Sequence, residues 1–125
     1  MSAQDPIAVA VARAHVDAWN SHDYDVVRTT LAPDVHVVVT TVDPGAPNVD
    51  TRGIDAYLEL GDAVVPGSCQ VTAAIGDDTR ALLQVTTRVR FGPDAPEMTA
   101  HSARLYRLDE SHKIAEERVI FFVRQ

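Results

Sequence analysis

The sequence predicts an α+β domain in which helices come first and an antiparallel sheet packs one face against them. Three observations predict it. Apolar side chains recur at helical spacing in three stretches before residue 66. After Pro66-Gly67 the period switches to two and stays there to the C-terminus. No repeat, linker or low-complexity segment divides the 125 residues, so one domain with a real hydrophobic core is expected over residues 1–125.

The first helix is expected over residues 6–20. Ile7, Val9, Val11, Ala12, Val16 and Trp19 form its apolar side, while Arg13, Asp17 and Asn20 share a polar stripe. Asp5 followed by Pro6 is a suitable start. At about 100° per residue, His15 lies roughly 200° from Arg13 and so falls on the apolar side. Asn20 to Asp23 breaks the helix, and Ser21 or Asp23 can cap a second one whose Tyr24, Val27 and Leu31 share a face. Pro33 is expected to end it. Val35 to Val42 reads as a strand and Asp43 to Asn48, with two prolines, as a loop. Thr51 to Val65 is expected as a third helix, stopped by Pro66-Gly67.

Four strands complete the sheet. Cys69, Val71, Ala73 and Ile75 alternate before Gly76-Asp77-Asp78, and Leu83, Val85, Val89 and Phe91 alternate with Gln84, Thr86, Arg88 and Arg90 before Gly92-Pro93-Asp94. Met98 to Leu108 and Lys113 to Arg124 flank a turn at Asp109 to His112. The polar row Gln84, Thr86, Arg88 and Arg90 suits a solvated or subunit-facing surface.

Composition excludes several classes. The net charge is −7 with a single lysine, against the clustered cations that a phosphate-tracking surface needs. Nucleic acid and anionic membrane surfaces are therefore not expected partners. No apolar run approaches the ~18 residues of a membrane span, no signal-peptide pattern opens the chain, and a cytoplasmic location is the default. Cys69 is the only cysteine, and His22, His36, His101 and His112 show no metal-ligand spacing, so no metal and no cofactor are expected.

Five pieces, in this order and spacing, resemble the nuclear-transport-factor-2-like superfamily in its SnoaL-like and ketosteroid-isomerase-like branch. They are Ala18 to Asp23, Leu31 to Val35, Thr51 to Tyr57, Leu105 to Leu108 and Lys113 to Glu117. The resemblance implies a cone, with a curved antiparallel sheet wrapped around three N-terminal helices and an internal pocket, and frequent homodimerisation through the outer sheet face. It also places the tyrosine, carboxylate base and late-strand aspartate of ketosteroid isomerases on His15, Val39 and Arg104. All three are changed, and Val39 cannot abstract a proton. SnoaL-type cyclases rely on the same late-strand aspartate. Epoxide hydrolases of the fold set two carboxylates around an arginine, whereas Glu117 is the one acid expected beside Arg104, with Asp17 on the polar stripe.

A symmetric turn at Asp109 to His112 sets Arg104 opposite Glu117, Tyr106 opposite Ala115 and Ser102 opposite Val119. The Arg104–Glu117 pair then either fixes the hairpin register or holds a ligand through spare guanidinium donors. His15 is either a core histidine or a general acid or base. The expected site comprises His15, Arg104 and Glu117 as the chemical groups, with Trp19, Val39, Tyr57, Ser102, Tyr106, Val119 and Phe121 as pocket wall. Its ligand is expected to be a small apolar molecule with one polar or anionic group. Two functions stay open: a cofactor-free enzyme of proton transfer, cyclisation or hydrolysis, and a non-catalytic metabolite-binding or dimeric assembly module.

Overall fold

The computed structural model describes residues 4–42, 48–90 and 92–124, without the side chains of residues 62 and 63. Helix α1 spans Ile7–Asn20 and α2 spans Tyr24–Thr30. Strand β1 (Leu31–Thr41) and the short β2 (Val49–Arg52) precede α3 (Ile54–Leu58) and a 3₁₀ turn (Glu59–Ala63). Strands β3 (Gln70–Gly76), β4 (Arg80–Val89), β5 (Met98–Leu108) and β6 (Ile114–Arg124) follow. The strands form one curved, unclosed sheet in the order β2-β1-β6-β5-β4-β3. The β1–β6 pairing is parallel and the others are antiparallel, which makes the sheet mixed. Among the described residues no helix is long and apolar enough to cross a membrane.

The core lies between the helices and the inner sheet face. Val9, Ala12, Val16 and Trp19 of α1 and Val27 of α2 pack with Val35 and Val37 of β1, Leu83 and Val85 of β4, and Ile114 of β6. A second cluster of Val89, Ala100, Val119 and Phe121 sits on the same sheet face. Two separate clusters on one concave face leave room between them, and this is where the cavity lies.

Several local expectations are corrected. Asp5 does not cap α1; it pairs with Arg13 at 3.0 Å. The helix start is instead capped from the β3–β4 turn, where Asp78 Oδ1 accepts from the Ile7 N–H at 3.0 Å and the Asp77 carbonyl from Ala8. Asp23 caps α2 as expected. That helix ends at Thr30, so Leu31 and Pro33 belong to β1, in the irregular stretch between the Leu31 and His36 pairings. Residues 51–65 are not one helix. Asp50 and Thr51 pair with Val38 and Val37, Gly53 turns at φ 95°, and only then does a single turn of α-helix begin. Backbone pairing to β1 outweighed the helical spacing there, and Gly53 supplied the dihedral that a side chain resists.

A register shift between Val71 and Ala73 in β3 inverts the alternation, so Ala74 packs on the core while Ile75 is 68% exposed. The expected loop at 43–48 lies outside the described residues except for Asn48, as does Phe91.

The β5–β6 hairpin also differs. Glu117 pairs with Tyr106, Arg104 with Val119 and Ser102 with Phe121. The register is two residues from the symmetric expectation. One residue comes from the turn, where His112 takes φ 60° and the Asp109 carboxylate accepts from the Ser111 and Lys113 N–H groups. The other comes from a bulge that leaves Ala115 between the Leu108–Ile114 and Arg107–Glu116 pairs. A slip of two preserves the side-chain face. Arg104 and Glu117 therefore both point inward, as diagonal rather than direct neighbours.

Candidate functional site

A cavity of about 670 Å³ opens on the concave face. Val39 of β1, Val119 and Phe121 of β6 and Ala100 of β5 give it an apolar wall. Leu60, Gly61 and Val64 close the side opposite the sheet, and Gly61 is required there because a Cβ would collide with the Trp19 indole. Glu59 and Arg90 stand exposed along the rim. Arg90, expected on a non-site surface row, thus contributes to the mouth.

The polar groups collect at the buried end. Trp19, Tyr57, Ser102, Arg104 and Glu117 line it. Two expectations are corrected: His15 and Tyr106 do not line the cavity. Both are fully buried, and His15 stands behind Tyr57 and Glu117, which do line the cavity. Arg104 and Glu117 do not form a direct ion pair either. Arg104 Nε donates to Ser102 Oγ at 3.1 Å and Nη2 to Thr87 Oγ1 at 3.4 Å.

Glu117 has other partners. Tyr57 donates its hydroxyl proton to Oε1 at 2.8 Å, and His15 Nε2 lies 3.6 Å from Oε2. His15 Nε2 is also 2.7 Å from the Tyr57 hydroxyl oxygen. The Trp19 indole N–H is shared between His15 Nε2 at 3.0 Å and the Tyr57 oxygen at 3.1 Å. On the other side of the ring, His15 Nδ1 meets Thr30 Oγ1 at 2.7 Å. The hydroxyl of Tyr106 and Oε2 of Glu117 are buried without a hydrogen bond of ordinary geometry.

Electrostatics follow from this packing. Burial works to raise the Glu117 pKa, but the hydrogen bond and charge of His15, together with the Arg104 guanidinium, outweigh it and hold the carboxyl below its ordinary range. Burial would likewise lower Arg104, yet Tyr106 and Glu117 reverse that and keep it charged. Burial and the neighbouring Glu117 push both Tyr57 and Tyr106 well above the usual phenol value, so both stay neutral. The arrangement can bind a polar or anionic ligand group at Arg104 and exchange a proton at Glu117. Among the described residues no group of three or more His, Cys, Asp or Glu is placed to hold a metal ion.

Residues 12–117 match the family profile of a SnoaL-like domain. The chain belongs to the SnoaL-like domain family. Its fold recurs in solved structures. A Kribbella flavida DSM 17836 protein is 27% identical, with a TM-score of 0.63, over 90% of this chain and 84% of that one. RV0760c from Mycobacterium tuberculosis, in complex with estradiol-17beta-hemisuccinate, is 12% identical with a TM-score of 0.74 over 92% and 93%. An epoxide hydrolase of the LEH-like type from M. tuberculosis is 20% identical with a TM-score of 0.69 over 92% and 82%. No protein of curated function matches the sequence.

Within this SnoaL-like frame the chemistry is the chain's own. Val39 stands in the cavity wall, and Asp17 is exposed on α1, away from Arg104. Two residues that hold the site's charged and titratable side chains escaped the sequence reading. Thr87 holds Arg104 and left a signal, a polar residue at an inward position between Val85 and Val89. Thr30 holds His15 and left none, since nothing in the sequence indicates that the end of α2 meets the middle of α1.

Proposed function

We propose that this SnoaL-like protein binds a small, largely apolar molecule in its cavity, with one polar group turned to Arg104, Tyr57 and Glu117, and acts on it as a cofactor-free proton-transfer enzyme. The observation that supports this best is a carboxyl group and a guanidinium at the buried end of an otherwise apolar cavity. A core has no need of uncompensated polar atoms, and such atoms are expensive away from water. Glu117 is the residue that would exchange a proton with the ligand, Arg104 would hold a developing oxyanion, and His15 would act through Tyr57 from behind. Trp19, Val39, Ser102, Val119 and Phe121 would shape the binding space. Tyr106 would tune the charge of its two neighbours without touching the ligand.

Cyclisation and hydrolysis remain compatible with the family, whose structural relatives include an LEH-like epoxide hydrolase. Hydrolysis of that kind draws less support here, because Arg104 has one carboxylate beside it. The second reading is a metabolite-binding or dimeric assembly module without turnover, favoured by the exposed Ile120 and Phe122 on the outer face of β6. We also propose that a second copy of the chain covers that face.

Trp19 is the single tryptophan and lines the cavity, so its fluorescence reports occupancy. Titration with a panel of apolar ketones, phenols and carboxylates should identify ligands. Incubating each bound ligand in deuterium oxide then separates the readings. Enzyme-dependent deuterium uptake at an acidic C–H supports proton transfer; saturable binding without uptake for every ligand supports the metabolite-binding module; and no binding at all overturns both of these and leaves the assembly module.

A further inference from the structure

Given the reading of the cavity as a ligand site, on which this inference rests, we propose that its buried end carries one positive charge in excess and selects a small apolar molecule bearing an anionic oxygen. The protons along the chain of short contacts behind the cavity can be counted.

Thr30 fixes one end of that chain. Its hydroxyl lies 2.7 Å from the Val27 carbonyl oxygen, which can only accept, so the single Thr30 proton is committed there. The 2.7 Å contact between Thr30 Oγ1 and His15 Nδ1 must then be made by a proton on Nδ1. Beyond the ring, the Tyr57 oxygen makes two contacts of hydrogen-bond length, 2.7 Å to His15 Nε2 and 2.8 Å to Glu117 Oε1. Each needs a proton. Tyr57 supplies one. The second sits either on His15 Nε2, with Glu117 ionised, or on Glu117 Oε1, with His15 neutral. The two arrangements interconvert by moving both protons one step across Tyr57, and no atom or charge enters or leaves. In either arrangement His15, Tyr57 and Glu117 together are electrically neutral.

Arg104 then has no counter-charge at the buried end. The other ionisable groups described there are the Tyr106 hydroxyl, which burial and Glu117 keep neutral, and the Cys69 thiol, which accepts from Thr87 at 3.6 Å. The exposed rim residues Glu59 and Arg90 have opposite signs. Nε and Nη2 of Arg104 are committed to neutral hydroxyls, and no hydrogen bond of ordinary geometry engages Nη1 among the described residues. A guanidinium with uncommitted donors and neutral partners is suited to an anionic oxygen. Thr30 is a positioning residue in this scheme: it orients His15 and never meets the ligand.

Two measurements on the intact protein at pH 7 test the inference. Side-chain NMR with labelled histidine and glutamate reads the proton count. One proton beyond those on Nδ1 and Tyr57 is expected, seen as a doubly protonated His15 ring with ionised Glu117 or as a neutral ring with protonated Glu117. A neutral ring beside an ionised Glu117 overturns the count. Thr30→Val should release the ring from its fixed orientation and change its nitrogen shifts, and unchanged shifts also count against the scheme. Calorimetry with the matched probes 2-naphthoate, 2-naphthalenemethanol and 2-naphthylmethylammonium reads the charge. The carboxylate should bind about tenfold or more tighter than the alcohol, with the ammonium weakest. Equal binding of alcohol and carboxylate overturns the charge inference and leaves the ligand-site reading standing. Failure of all three probes to bind overturns both.

Discussion

Replacing Tyr57 by phenylalanine isolates the hydroxyl at the centre of the buried network. The ring is 3% exposed and packs against His15 and Trp19, with centroids 5.6 and 5.3 Å away. Phenylalanine keeps that packing and opens no cavity, so the transfer and cavity contributions of a truncation are absent. What is lost is the bond to the Glu117 carboxylate, in the range of about 1.5–3 kcal/mol for a charged partner. The short contact to His15 and the shared Trp19 N–H go with it. Trp19 loses one of its two described partners and stays 3.0 Å from His15 Nε2. Glu117 Oε1, by contrast, is left without a described partner, and an unmet buried acceptor adds about 1 kcal/mol or more. The sum is about 2.5–4 kcal/mol. Urea denaturation of wild type and variant, with equal m-values, measures it. Combining Tyr57→Phe with Glu117→Gln should be non-additive by about 1 kcal/mol or more, because the two groups share one bond. A Tyr57→Phe loss under about 0.5 kcal/mol, or an additive double variant, would refute the network.

The cavity wall and the outer face carry further expectations. Trp19→Ala should cost about 3–5 kcal/mol in the same denaturation experiment, since the indole is 5% exposed and packs on Tyr24 and Tyr57. Acid should weaken the fold through Glu117 in a definite direction. Its native pKa is lowered, so its contribution is present above the ordinary carboxylate range and fades as pH falls through the native value. The stability gap between wild type and Glu117→Gln should therefore narrow on acidification, and a gap that widens would contradict the assignment. Sedimentation at micromolar concentration should show a dimer that Ile120→Glu dissociates, Ile120 being 59% exposed beside Phe122; a monomeric wild type would remove the dimer proposal.

The amphipathic pattern of α1 was legible because the helix is long and its polar stripe unambiguous. That pattern alone put His15 inside. The inward row of β5 and β6 was legible for a different reason. Side-chain parity survives a two-residue slip, so Ser102, Arg104, Tyr106, Glu117, Val119 and Phe121 were grouped correctly although each pairing was wrong. The turn conformation at His112 and the bulge at Ala115 have no strong residue signature, and they decide whether Arg104 meets Glu117 directly or across a diagonal. The fate of residues 49–65 was illegible for a tertiary reason, since Val49–Arg52 becomes a strand only because β1 offers an edge. Depth was hidden too. Helix periodicity tells which way His15 faces, but only the placement of Tyr57 and Thr30 shows that it stands behind the cavity wall.

The claim on which the account depends is that the concave face, and not the apolar outer face, receives the ligand. Two-dimensional NMR during titration with 2-naphthoate tests it directly. The Trp19 indole N–H and the backbone signals of Ala100, Arg104, Glu117 and Val119 should move with one saturating curve while Ile120 and Phe122 change little. Shifts confined to Val42, His101, Ile120 and Phe122, which line a groove on the outer face, with Trp19 unmoved, would contradict it.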